Sequence, residues 1–235
     1  MSTAEKLDWL IADQLKAKVP GAVIGREIIV LEETSSTNDV ISRVASTDGL
    51  PSIPEGLVVF AEHQTDGRGQ RGNRWESTAS KGLWFSILLR PEIALSDSGR
   101  LTIWAIEAIS DVISSELSLE PSIKLPNDVQ LYGQKVAGVL VEMRAQGKAP
   151  HVAVVGIGIN VNQSRDDFPA ELQGGAISLA MALGRRVDRQ SFAVAILRNL
   201  DLTYREKLSK AVAAFNSSPA PTATRDKRAV KFRTA

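Results

Sequence analysis

TDGRGQRGNRW, residues 65–75, decides between two fold classes. It sets three glycines and three arginines among eleven positions with one large apolar residue. Gly67, Gly69 and Gly72 match the G-x-G-x-x-G of a dinucleotide-binding turn. The apolar run GLVVFAEH (56–63) precedes them, and Glu92 lies about 20 residues beyond, near the acidic position of that fingerprint. The fingerprint also requires a helix opening at the glycines, because the helix N-terminus holds the pyrophosphate. NRWESTASKG (73–82) has no apolar face and room for barely two turns before a strand begins near Leu83. No Gly-Lys-Ser/Thr follows, so the Walker pattern fails too. What remains is a basic β-loop-β crossing. Its glycines allow close backbone approach and an N–H nest for an anion, and Arg68, Arg71 and Arg74 add guanidinium forks. A solvated surface loop is the plain alternative, but it would not need this density of both residue types.

Outward from the loop, GLVVFAEH and GLWFSILLR (82–90) read as central strands and REIIVLEE (26–33) as another. Leu7, Leu10, Ile11 and Leu15 share a face of a short helix over 4–18, and STNDVISRVAST (36–47) reads as a second, capped by Ser or Thr. Leu101, Trp104, Ala105, Ala108, Ile109, Val112, Ile113 and Leu117 predict a long packed helix over 98–119. Strands at 122–124, 135–143 and 151–162 follow, then helices near 176–183 and 189–215. Runs of strands with interspersed helices predict an α+β fold, a mixed sheet packed against helices.

The 235 residues are 43% hydrophobic and 23% charged, which fits one globular domain of about 200 residues with a small appendage. The expected divisions are an N-terminal helical extension (1–25), a main domain (26–215) and a basic tail (216–235) that is not a domain. That tail carries five basic residues against one acidic between Arg225 and Arg233. With no cysteine, disulfides and thiolate metal sites are excluded and a reducing cytoplasm is the expected home. The two histidines, His63 and His151, lie far apart, which argues against a histidine-built zinc centre. A net charge of +1 gives no basis for general nucleic-acid binding. No apolar run approaches the roughly 18 residues of a membrane span, and MSTAEKLDWL is not a secretory signal.

Three further stretches stand out. KLPNDV (124–129) sets a Pro-Asn-Asp turn after a strand, with Lys124 and Asp128 beside it. In KVAGVLVE (135–142), strict alternation puts Lys135, Ala137, Val139 and Val141 on one face and Val136, Gly138, Leu140 and Glu142 on the other. Small Ala137 would then leave room for a ligand beside Lys135. GIGINVN (156–162) puts Gly156, Gly158 and Asn160 on one face and Ile157, Ile159 and Val161 on the opposite one. Taken singly, each has a plain alternative: a snorkelling lysine, an ordinary turn, a glycine bulge.

TSSTND (34–39), EHQTDGRGQRGNRW (62–75), KLPNDV, KVAGVLVE and GIGINVN, in this order, closely resemble the catalytic domain of the biotin protein ligases, over roughly residues 26–215. The resemblance implies a class II synthetase-like catalytic fold and an ATP- and Mg²⁺-dependent reaction. Biotin would be activated to biotinyl-5′-AMP, then passed to a lysine of a biotin carboxyl carrier protein domain. Ser36, Thr37 and Asn38 with Gln64 would bind biotin's ureido end, Ser36 serving also as a helix cap. Gly67, Arg68, Gly69 and Gln70 would close over biotin and the adenylate. Lys135 would reach the carboxylate and the α-phosphate as the main electrostatic catalyst, with Arg68 beside it. Asn127 and Asp128 would orient the site, Asp128 being the candidate Mg²⁺ ligand. Arg71 would hold the adenylate, Asn160 the adenine, and Trp75 would stack on adenine or pack in the core.

The chain departs from the family pattern at Gln70, where arginine is usual, at Leu125, where tryptophan is common, and at Asp66, where a small residue is usual. By the same resemblance, residues 1–25 hold no winged-helix module and the C-terminal residues no β-barrel, so no repressor role is expected. A homodimer is one candidate assembly. A lipoate-type ligase lacks support in the absent Arg-Arg-x-x-Gly-Gly-Gly motif, and a non-catalytic biotin-binding or carrier-docking protein is the third reading.

Overall fold

The computed structural model describes residues 8–46, 53–145 and 151–208. Seven strands form one sheet: β1 (Glu27–Thr34), β2 (Leu57–Gln64), β3 (Leu83–Leu89), β4 (Ser122–Lys124), β5 (Asp128–Leu131), β6 (Gln134–Arg144) and β7 (Val152–Ile159). Their spatial order is β1-β2-β3-β7-β6-β5-β4. Only β1 and β2 are parallel among the paired strands, as the helix α2 (Thr37–Ala45) between them demands; every other pair is antiparallel. The other helices are α1 (Ala12–Ala17), α3 (Gly99–Leu117), α4 (Leu179–Leu183) and α5 (Arg189–Lys207). This is the α+β fold with a mixed sheet that the strand and helix runs predict.

Period-two burial divides the sheet into two faces. Val58 and Phe60, then Leu83, Phe85, Ile87 and Leu89, then Val155, Ile157 and Ile159 join α3 and α5 in the main core. On the opposite face, Leu57, Val59, Leu88, Val152 and Val154 form a smaller cluster under Ile41 of α2. That second face continues past the end of α2. Cross-strand register aligns Ser86 with Gly156 and Leu140, and Trp84 with Gly158 and Gly138. The helix covers the aliphatic half of this face, and the glycine half stays open.

Several sequence expectations shift. Among the described residues, the helix expected over 4–18 is α1, Ala12–Ala17, with Ile11 extended at its N-cap; residues 1–7 lie outside the described residues. Leu10, Leu15, Val19 and Ile24 nonetheless enter the main core, so residues 8–25 pack as part of it. Ser36 occupies the N-cap position of α2, yet its side chain makes no capping bond. Strand β5 was not expected: the chain leaves the Pro-Asn-Asp turn and returns along β4. The basic tail and the end of the 189–215 helix lie outside the described residues.

Candidate active site

Glycines make the floor. A Cβ on Gly156 would lie 2.3 Å from Asn38 Oδ1, and one on Gly158 would lie 2.4 Å from the Trp75 ring. One on Gly138 would lie 2.8 Å from Lys135 Cε and 2.9 Å from Trp75. Strand β7 pairs in unbroken register with both neighbours, so its glycines mark no bulge. They are small because side chains from α2 and the glycine-arginine loop lie flat on the sheet.

A bulge does occur, in β6. Val129 pairs with Ala137 and the next residue, Gln130, with Lys135, which leaves Val136 as the extra residue. The alternation expected across 135–142 therefore breaks. Ala137 is fully buried in the core and makes no room for a ligand; Lys135 comes round to the face of Gly138. The lysine's backbone is fixed on both sides, its N–H donating to Gly175 O and its carbonyl accepting from Ile177 N. Its Nζ lies 2.7 Å from Asp128 Oδ1 and 5.1 Å from the Trp75 ring centroid, a cation–π distance. The contact with Oδ1 lies outside hydrogen-bond geometry, so charge proximity and not an aligned N–H joins the two groups.

At the other end of the pocket α2 opens with a polar hook. Gln64 Oε1 accepts from Thr37 N at 2.9 Å, and Thr37 Oγ1 lies 2.7 Å from Ser86 Oγ. Ser86 donates to Asn38 Oδ1 at 2.5 Å, and Asn38 Nδ2 donates to Glu142 Oε2 at 2.7 Å. Ser36, Thr37 and Asn38 are all buried.

The glycine-arginine loop folds on itself as a short hairpin. Gly69 N donates to Asn73 O and Trp75 N to Gly67 O, with Arg68 and Arg74 paired across it. A 3-10 turn at Gln70–Gly72 is the only helical element before β3 among these residues, as the failed dinucleotide reading requires. Gly67 has no space for a side chain, since a Cβ would lie 2.5 Å from Trp75 O. Arg68 leans back onto two carboxylates, Asp39 Oδ1 at 2.9 Å and Glu142 Oε2 at 3.0 Å.

These parts line a groove that is open to solvent. Its walls include Ser36, Thr37, Asn38, Gln64, Arg68, Gly69, Gln70, Trp75, Asn127 and Lys135, most of the expected site residues. Asp128 adjoins it through Lys135. Gly67, like Asp128, is not among the walls, being buried against Trp75 O, and two further expected residues stand apart from the groove. Arg71 sits exposed at the hairpin tip with φ 58°, and Asn160 is buried behind the floor, donating to Ile177 O at 3.2 Å while accepting from Gln163. Arg74 is occupied within the loop, donating to Thr65 O. Asn127 also ties its turn to β6 through Val139 O.

Sequence reasoning missed Asp39, Glu142 and Ser86. Acidic residues on a helix and a strand read as solvated. The one available signal is that Glu142 alternates with Gly138 and Leu140, on the open face. Chemically, the groove offers a set of hydrogen-bonding groups on Thr37, Asn38 and Gln64, a flat aromatic face on Trp75, and an ammonium against that face.

Residues 30–160 match the biotin/lipoate A/B protein ligase family. Among curated relatives, the bifunctional ligase/repressor BirA of Bacillus spizizenii is 37% identical over 80% of this chain and 56% of its own length. The biotin–[acetyl-CoA-carboxylase] ligase of Mycobacterium tuberculosis is 34% identical over 80% of this chain and 68% of its own. The chain thus spans little more than half the length of the Bacillus relative. Among solved structures, the biotin protein ligase from Aquifex aeolicus in complex with biotin and ATP superposes with a TM-score of 0.64 and 31% identity, covering 77% of this chain and 72% of that one. With more than half of its length inside the matched region and its sheet shared with that solved ligase, the chain belongs to the biotin/lipoate A/B protein ligase family.

Proposed function

We propose that the chain is an ATP-dependent biotin protein ligase. The observation that carries this reading is Lys135: it lines the same groove as the polar hook of Thr37, Asn38 and Gln64, with its ammonium 5.1 Å from the centre of the Trp75 ring. A cyclic urea, which both donates and accepts, suits the hook better than an apolar dithiolane does. The relatives' names and the biotin and ATP of the Aquifex structure support the same substrates.

In the first step a biotin carboxylate oxygen attacks the α-phosphorus of ATP. A C–O–P anhydride forms as the bond to the β-phosphate oxygen breaks, and pyrophosphate leaves with the electron pair. Two anions must meet, so a preplaced cation helps most where charge grows. Lys135 provides it, and the loop at Gly67–Gln70 would exclude water from the adenylate. In the second step the neutral amine of a carrier-domain lysine attacks the acyl carbon, AMP departs, and the amine proton goes to solvent. No covalent enzyme intermediate is required.

Mg²⁺ fits as an ion carried by the nucleotide. Among the described residues no three His, Cys, Asp or Glu side chains cluster, while such ions are commonly held by one or two carboxylates plus substrate phosphates. Asp128 would be its protein ligand, and the ion would neutralise phosphate charge.

The test is pyrophosphate exchange into ATP together with biotinylation of a biotin carrier domain by the purified chain. Both are expected, and both depend on biotin. Exchange that requires lipoate instead would assign the chain to the lipoate branch of its family, and no exchange with either acid would leave only a binding role.

A further inference from the structure

We propose that Glu142 is a positioning residue: a single carboxylate oxygen sets which way the Asn38 amide faces and also tethers the glycine-arginine loop through Arg68. The inference rests on the biotin reading of the groove.

Asn38 is only 3% exposed and lies over Gly156, where no side chain fits. An asparagine amide can turn over, exchanging a donor for an acceptor at the pocket wall. Here two neighbours fix it. Ser86, buried within β3, donates its only hydroxyl proton to Oδ1, so its oxygen is left to accept from Thr37, whose own proton is shared between Ser86 Oγ at 2.7 Å and Gln64 Oε1 at 3.2 Å. Glu142, acceptor-only when ionised, takes one Nδ2 hydrogen at Oε2. The chain of donors runs one way, from Thr37 through Ser86 and Asn38 to Glu142. It leaves the second Nδ2 hydrogen for the groove that Asn38 lines, a donor suited to the carbonyl of a cyclic urea.

The same Oε2 accepts from Arg68 Nη2, while Asp39 holds the guanidinium's other arm at Nη1. Recognition of the ligand's head and the seating of the loop that covers it therefore meet at one atom. The floor residues Gly138 and Gly156 would perform their steric role with any residue at 142; the amide's direction would not survive there without a fixed acceptor.

Three variants separate the links. Glu142→Gln is isosteric at a half-buried site, and its side chain can donate as well as accept. It should raise the KM for biotin by about tenfold or more, the worth of a charge-assisted hydrogen bond, with little change in the KM for ATP. It should also speed amide exchange across residues 66–75 in the ligand-free protein. Ser86→Ala should raise the biotin KM and leave loop exchange as in the wild type, whereas Asp39→Asn should speed loop exchange. A merely structural role for Glu142 would lower thermal stability and move both substrates' KM values together. Glu142→Gln with a wild-type KM for biotin, or with wild-type loop exchange, overturns the proposal even where the wild-type chain shows biotin-dependent pyrophosphate exchange. Absence of that exchange in the wild type overturns the ligase reading itself, and the head-group role falls with it.

Discussion

Lys135 reaches the groove because β6 carries one residue too many. Without Val136 as a bulge, period two would turn the lysine towards the core beside Ala137. The bulge delivers it over Gly138, against Trp75 and within 2.7 Å of Asp128. The side chain is tethered by its backbone and by two soft contacts, so removal should cost chemistry more than stability. Lys135→Ala is expected to lower the rate of biotin-dependent pyrophosphate exchange by about 10²–10³-fold, the usual cost of one preplaced electrostatic group, with the unfolding midpoint close to wild type. Lys135→Arg should rescue little, since a planar guanidinium is broader than the ammonium that the Gly138–Trp75 corner holds. Retained exchange in Lys135→Ala would remove the residue from the chemistry.

At the scale of elements, what the sequence made legible followed from long, regular runs. LWFSILL in β3 and the apolar face of α3 are unmistakable because burial on one or both sides repeats without interruption. The glycine face of β7 was equally legible, since Gly156 and Gly158 alternate with Ile157 and Ile159. Strand β5 was not, because DVQL alternates polar and apolar over only four residues and begins within the Pro-Asn-Asp turn itself. The bulge was invisible because an inserted residue changes facing without changing composition. The segment between the hairpin and β3 likewise gave no sign of being pinned. Lys81 Nζ lies 2.6 Å from both carboxylate oxygens of Asp167, and Thr78 donates to Asp167 O. Partial burial opposes ionisation of Asp167, but hydrogen bonds from Lys81 and Ser164 outweigh it and hold the carboxyl below its ordinary range. A depressed carboxyl stabilises the fold above the unfolded-state value and loses that contribution as pH falls through the folded one. The stability difference between wild type and Asp167→Asn should thus be constant near neutrality, begin to shrink below about pH 4, and vanish under the lowered value. Urea unfolding of both proteins across that range checks it, and a difference that persisted at the acid end would show that the carboxylate's charge is not what holds the segment.

Across the whole molecule, one buried cation joins parts that are remote in sequence. Arg189, at the start of α5 and 0% exposed, donates to Gly82 O, to Asp8 O and to Glu62 Oε2 at 2.7 Å. Glu62 in turn accepts from Leu10 N. The tie gathers the first described residues, the end of β2 two positions before Gln64, and the approach to β3 two positions before Trp84. Burial pushes the Glu62 carboxyl up and the Arg189 guanidinium down, and their mutual attraction only partly offsets each shift. Such a pair gives little net stability over apolar packing, but breaking it from one side strands a charge. Arg189→Met should therefore cost about 3–5 kcal/mol in urea unfolding at neutral pH. Because the stranded Glu62 binds its proton more tightly folded than unfolded, that loss should lessen as pH falls towards the raised value. Adding Glu62→Leu to Arg189→Met should recover much of the stability at neutral pH, since two apolar groups replace two charges. If the double variant were as unstable as the single one, the cost would lie in lost packing around α5, and the charge tie would not be what orders the two strands that carry the groove.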